Sequence, residues 1–77
     1  MSASRALQDI GSGAEPYVIK LLTDSDWGVR MEACKVLRAI GTKKSTRALR
    51  SATFDSNVLV RREATDALVA VQNRKGG

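Results

Sequence analysis

Ten residues of this chain, Asp24-Ser-Asp-Trp-Gly-Val-Arg-Met-Glu-Ala33, return 31 positions later as Asp55-Ser-Asn-Val-Leu-Val-Arg-Arg-Glu-Ala64. Asp, Ser, Val, Arg, Glu and Ala recur in register, and downstream Leu37 matches Leu68 and Ile40 matches Val71. Upstream, Ala6, Leu7, Ile10 and Gly11 stand 30 positions before Val36, Leu37, Ile40 and Gly41. A fixed self-similar period marks a repeat array, in which each unit buries its apolar face only against its neighbours. Such arrays build extended binding surfaces rather than enclosed catalytic pockets.

The rest of the composition narrows the chemistry. Apolar residues make up 43% of the 77, yet Phe, Trp and Tyr occur once each, so the core must be aliphatic and suits Ala/Leu/Val helix packing. The formal charge of +5 invites an acidic partner. Cys34 is the single cysteine, which rules out an internal disulfide and fits a reducing compartment. With no histidine, imidazole catalysis and the common His/Cys metal sites are excluded within the chain, and neither a metal nor a cofactor is expected. The N-terminal residues lack a secretory apolar run, and no stretch approaches the roughly 18 apolar residues that span a bilayer. No membrane partner and, by default, a cytoplasmic location are therefore expected.

Periodicity and capping residues predict five helices. The first covers about Ala3–Ile10 and stops at Gly11-Ser-Gly13. The second covers about Ala14–Thr23, with Pro16 in its first turn and Val18, Leu21 and Leu22 as its apolar stripe. Asp26 caps a third helix, Trp27–Ile40, ended by Gly41; Thr42 caps a fourth, about Lys43–Thr53; Asn57 caps a fifth, Val58–Gln72. The organisation is a half repeat at 3–11, repeats at 12–41 and 42–72, and a flexible tail at 73–77. On a helical wheel Val29, Ala33, Val36, Leu37 and Ile40 share one face, and Trp27, Met31, Cys34 and Arg38 the other. The fifth helix repeats the design, with Val60, Ala64, Ala67, Leu68 and Val71 inward and Val58, Arg62, Thr65 and Val69 outward.

These residues resemble the short HEAT-like repeats of the phycobilisome-lyase type. There, a first helix ends in Asp-x-(Asp/Asn) and a second opens x-x-Val-Arg-x-x-Ala-x-x-x-Leu-x-x-Ile-Gly. The first copy supplies Asp24, Asp26, Val29, Arg30, Ala33, Leu37, Ile40 and Gly41; the second supplies Asp55, Asn57, Val60, Arg61, Ala64, Leu68 and Val71. Gln72 stands where the second glycine is expected, which suggests that the array ends there. The resemblance implies an all-α, armadillo/HEAT-like right-handed α-solenoid of about two and a half antiparallel helix pairs, the second helix of each lining a concave surface. It implies further that Asp24, Arg30, Asp55 and Arg61 form a structural ladder between repeats.

Two surfaces qualify as binding sites. One, carried over from the resemblance, is the concave stripe of Trp27, Met31, Cys34 and Arg38 beside Val58, Arg62, Thr65 and Val69, rich in residue types that dominate interfaces. The other is a basic ridge of Lys43, Lys44, Arg47 and Arg50, four cations in eight residues with no acid among them. A phosphate backbone would suit that ridge, although no aromatic interleaves it for base stacking. Cys34, near Lys35 and Arg38, has some potential for thiolate character and attachment chemistry, but no base or second thiol supports it. The reading is a non-catalytic protein-interaction scaffold with another protein or peptide as partner. Self-association through uncapped repeat ends is also expected. A nucleic-acid-binding module and a chromophore-lyase-type accessory subunit are the alternatives. Because the chain opens inside what looks like the second helix of a unit, excision from a longer array is expected.

Overall fold

The computed structural model describes residues 11–74, and among them every regular element is a helix: α1 (Gly11–Leu21), α2 (Trp27–Ile40), α3 (Lys43–Ala52) and α4 (Val58–Asn73). The three later helices start where short polar side chains accept the orphan amides of the first turn. Asp26 accepts from the Gly28 amide at 2.8 Å, Thr42 from Lys44 at 3.2 Å, and Asn57 from Leu59 at 2.8 Å. The helix expected over Ala3–Ile10 lies outside the described residues. Its expected stop does not stand: Gly11 to Gly13 form the first residues of α1, and Pro16 sits inside that helix rather than in its first turn. Glycine disfavours a helix by about 1 kcal/mol against alanine, a cost that does not forbid it.

Which helix ends meet fixes the arrangement. Arg30, in the first turn of α2, reaches Asp55 just before α4, while Arg74, just after α4, donates to the carbonyls of Arg38 and Gly41 at the end of α2. Start meets start and end meets end, so α2 and α4 run parallel. Glu15, early in α1, bonds to Thr42 and Ser45 at the start of α3, which makes α1 and α3 parallel as well. Short turns join each helix antiparallel to the next. The result is two stacked hairpins, with α2 against α4 as the broadest contact, and α1 and α3 touching little.

The core follows the predicted faces. Val18 of α1 and Leu22 just after it, Leu37 of α2, Leu49 and Ala52 of α3, and Val60 and Val71 of α4 close on one another around Ala33, Ala64 and Ala67. Leu37 and Leu49 are wholly buried, each contributing about 1.5–3 kcal/mol of apolar transfer. The alanines lie where helices must approach closely.

Gly41 ends α2 for a reason that its position alone does not reveal. Its backbone is extended (φ −63°, ψ 143°), not left-handed. A β-carbon there would lie 2.5 Å from the Leu37 carbonyl oxygen and 2.9 Å from Val71 Cγ2, so the last-turn carbonyl of α2 and the close approach of α4 together require glycine. The equivalent position in the second copy is Gln72, inside α4, which runs on through Asn73. Arg74 is engaged on α2, so the tail expected from residue 73 is ordered at its first two positions.

The two glycines should respond oppositely to the same substitution. Gly41→Ala overpacks the α2–α4 contact and is expected to cost about 1–3 kcal/mol. Gly13→Ala, with nothing within 4 Å of the added carbon, should stabilise the helix by about 0.5–1 kcal/mol. Urea unfolding of both variants measures this; a neutral Gly41→Ala would remove the close-approach account.

Candidate interaction surfaces

Between the hairpins the arginine at the start of α2 does three things at once. Its Nε and Nη2 donate to the two carboxylate oxygens of Asp55, at 2.6 and 3.1 Å, and its Nη1 donates to the Asp24 and Ser25 carbonyls, at 2.7 and 3.2 Å. The flat guanidinium thus braces its own turn and clamps the next one, a geometry lysine cannot reproduce. Arg61 holds the same pose one repeat on, its Nη1 donating to the Asp55 and Ser56 carbonyls at 2.8 and 3.3 Å. Among the described residues no carboxylate meets its remaining donors. Asp24 and Asp55 each also accept the amide two residues on, Asp26 at 2.9 Å and Asn57 at 2.8 Å. The Arg30 hydrogen bond holds the Asp55 carboxyl below the usual aspartate range, with the Asn57 amide and the Arg30 and Arg61 charges adding to it against the opposing effect of burial.

A second connection was not legible in the sequence. Glu15 is wholly buried, its carboxylate accepting from the Thr42 amide at 2.8 Å, the Thr42 hydroxyl at 3.0 Å and the Ser45 hydroxyl. Thr42 is the N-cap of α3 and Ser45 its third residue, where a capping box places Glu or Gln. Here the carboxylate arrives from another helix, so the box is completed across the repeat boundary. Burial pushes the Glu15 carboxyl up, but the Ser45 hydroxyl, the Thr42 amide and hydroxyl, and the Lys44 charge outweigh it and hold it below its ordinary value. No local signal marks this role, since the bonded groups lie 27 and 30 residues away.

The inner-helix stripe divides in two. Trp27, Arg38, Val58, Arg62, Thr65 and Val69 are all exposed, whereas Met31 is half-buried against the core. Cys34 does not belong to the stripe. It is fully buried within the core cluster, and burial, aided by the Glu63 and Asp55 carboxylates, pushes its thiol up to about 11. It is therefore neutral at physiological pH and offers no attachment chemistry. The physical reason is that α2 has α4 as a neighbour; the equivalent Thr65 is exposed, its hydroxyl donating to the Arg61 carbonyl at 2.9 Å. Leu59, absent from the expected stripe, is 43% exposed beside Val58.

On the other layer Lys43, Lys44, Arg47 and Arg50 all point into solvent, and among the described residues none is ion-paired. Lys43, Thr46, Arg47, Arg50, Ser51 and Phe54 line an open groove of about 480 Å³. Phe54 was missed because it follows α3 in the turn, where wheel analysis stops; the fold places it at the end of the ridge. A second groove of about 490 Å³, floored by Ile19, Leu22, Ala48 and Ala52, separates the ends of α1 and α3. Among the described residues no cluster of His, Cys, Asp and Glu can hold a metal, and no helix is long and apolar enough to cross a membrane.

The family model for HEAT repeats matches residues 1–74. The chain belongs to the HEAT repeat family. No curated protein and no solved structure matches it. The all-α architecture of solenoid-like helical hairpins is that of the family, and the Arg30–Asp55 clamp is one of the contacts between the two hairpins.

Arg30→Ala is expected to destabilise this HEAT domain by about 2–4 kcal/mol, because it leaves the Asp55 carboxylate with the Asn57 amide alone and two turn carbonyls without their Arg30 donor. Arg38→Ala, whose side chain is in solvent, should cost about 0.5 kcal/mol or less. Equal melting temperatures would refute the clamp.

Acid should weaken the same boundary. Glu15 and Asp55 both have folded pKa values below their ordinary 4.5 and 3.8, so their contribution is complete above that range and is lost as pH falls through the lowered folded values. Glu15→Gln should flatten the acid limb of stability against pH. A limb unchanged by this substitution would show that Glu15 carries none of it.

Proposed function

We propose that the chain is a non-catalytic interaction module that holds another protein or peptide across its inner helices. The observation that carries this is the apolar surface left in solvent there. Trp27 opens α2 at 44% exposure and Val58 opens the parallel α4 at 62%, with Leu59 and Val69 continuing along α4. Of the large exposed hydrophobics among the described residues, Trp27, Val58, Leu59 and Val69 lie on these two helices, while Tyr17 lies on α1 and Phe54 after α3; a cluster that includes a tryptophan is the mark of a contact site. Arg38 and Arg62 supply charge-assisted donors at its rim. Arg61, held in the pose of Arg30 with donors to spare, is a preset receptor for a carboxylate on the partner. Membership in the HEAT family supports the reading, since such repeats commonly serve as interaction scaffolds. The period of 31 residues favours the short, phycobilisome-lyase-type subclass, and the lone reduced cysteine suits the cytoplasm.

Affinity capture with the intact chain, followed by titration of the captured protein, tests this. Trp27→Ala should cost more than about 2 kcal/mol of affinity with circular dichroism unchanged. Glu substituted together at Lys43, Arg47 and Arg50 should leave that affinity nearly unaltered. If the charge reversal abolishes partner binding and Trp27→Ala does not, the inner face is not the site.

A further inference from the structure

The charge of this molecule is not spread evenly. Helix α3 carries Lys43, Lys44, Arg47 and Arg50 and no acid, so most of the net +5 sits on one helix of the outer layer. Apart from the Lys44 charge, which helps hold the Glu15 carboxylate, no hydrogen bond or ion pair among the described residues engages these side chains. They are exposed and, among the described residues, free of ion pairs, while the buried face of α3 is made by Ser45, Leu49 and Ala52. An ordinary solvated helix face mixes signs; this one does not.

The groove beside them has a defined chemistry. It combines three cations, the hydroxyl-bearing Thr46 and Ser51, and one aromatic ring, Phe54, which is 83% exposed. Guanidinium, ammonium and hydroxyl groups are the usual donors to phosphate oxygens. An exposed ring at the end of a cation row is a platform for a base. Lys43, Arg47 and Arg50 follow one another at four and three residues, so they span about 10 Å along the helix. At about 3.4 Å per stacked nucleotide, that length covers about three phosphates of one strand. An acidic peptide would satisfy the cations but offers the ring a flat partner only where it happens to carry an aromatic residue, whereas every nucleotide carries a base; a duplex keeps its bases stacked away from the ring.

We propose that Lys43, Arg47 and Arg50 with Phe54 form a binding site for single-stranded nucleic acid, the cations holding about three consecutive phosphates and the ring stacking on a base. The site lies on the outer helices, and it stands or falls apart from the inner-helix reading. Recognition is sequence-tolerant, because every base has a face to stack and no side chain in the groove other than the cations and hydroxyls is placed to read base edges.

Fluorescence anisotropy of the intact chain with a labelled oligothymidine of about 12 nucleotides, within the usual site sizes, tests the proposal at a series of salt concentrations. The expected slope of log affinity against log salt is about −2, from about 0.7 per phosphate contact. Glu at Lys43, Arg47 and Arg50 together should abolish binding. Phe54→Ala should weaken it roughly five- to a hundredfold at an unchanged salt slope, and Phe54→Trp should restore it. Trp27→Ala should leave it intact. No binding at low salt, a Phe54→Ala variant that binds as well as the parent, or displacement by a polyglutamate peptide as effective as by unlabelled oligothymidine would each overturn the assignment.

Discussion

The fold depends on one arginine at the first turn of an inner helix. A small aliphatic core packs the helices within each hairpin and α2 against α4, but non-directional apolar contact leaves the register of the hairpins to be fixed. Arg30 supplies it by binding two carbonyls of its own turn and both oxygens of the next turn's aspartate. A half-buried guanidinium with four of its five N–H groups engaged is held in one geometry, and that geometry places α4 beside α2 in parallel. The same residue one repeat on, Arg61, is prepared in the same way.

Two further contacts brace the boundary at other points, and each solves a problem of unsatisfied backbone. Glu15 serves the N-terminus of α3, where free amides and the positive end of the helix dipole favour a carboxylate. Arg74 serves the C-terminus of α2, where free carbonyls favour a cation. The boundary is therefore held at the helix ends as well as in the core, and its polar groups are paired: no buried side-chain polar atom among the described residues lacks a partner.

With its structural charges and core side chains so engaged, the domain leaves two chemically different faces. Helices α2 and α4 expose Trp27, Val58, Leu59 and Val69, an apolar surface. On the other layer α3 exposes its cations, with the Phe54 ring in the turn after it and the Tyr17 ring on α1. Thin two-layer solenoids make this separation possible, because each helix has one face in the core and another in solvent.

Much of this was readable from residues alone, because it rests on local rules. The 31-residue period and the 3.6-residue apolar pattern gave the helices, their N-caps at Asp26, Thr42 and Asn57, and the buried faces. The matched Asp and Arg positions pointed to the clamp. What needed the tertiary structure was whatever depends on a neighbour. A wheel shows two faces of α2, but Cys34 is buried and Thr65 exposed because α4 flanks the first and no described helix flanks the second in the same way. Gly41 is hemmed in by Val71 as well as by the Leu37 carbonyl of its own helix, and Glu15 is a cap because a helix 27 residues on starts beside it. Phe54 joins the basic row only when the turn after α3 brings it there. Sequence determines the faces of each helix; packing decides which of them water still reaches.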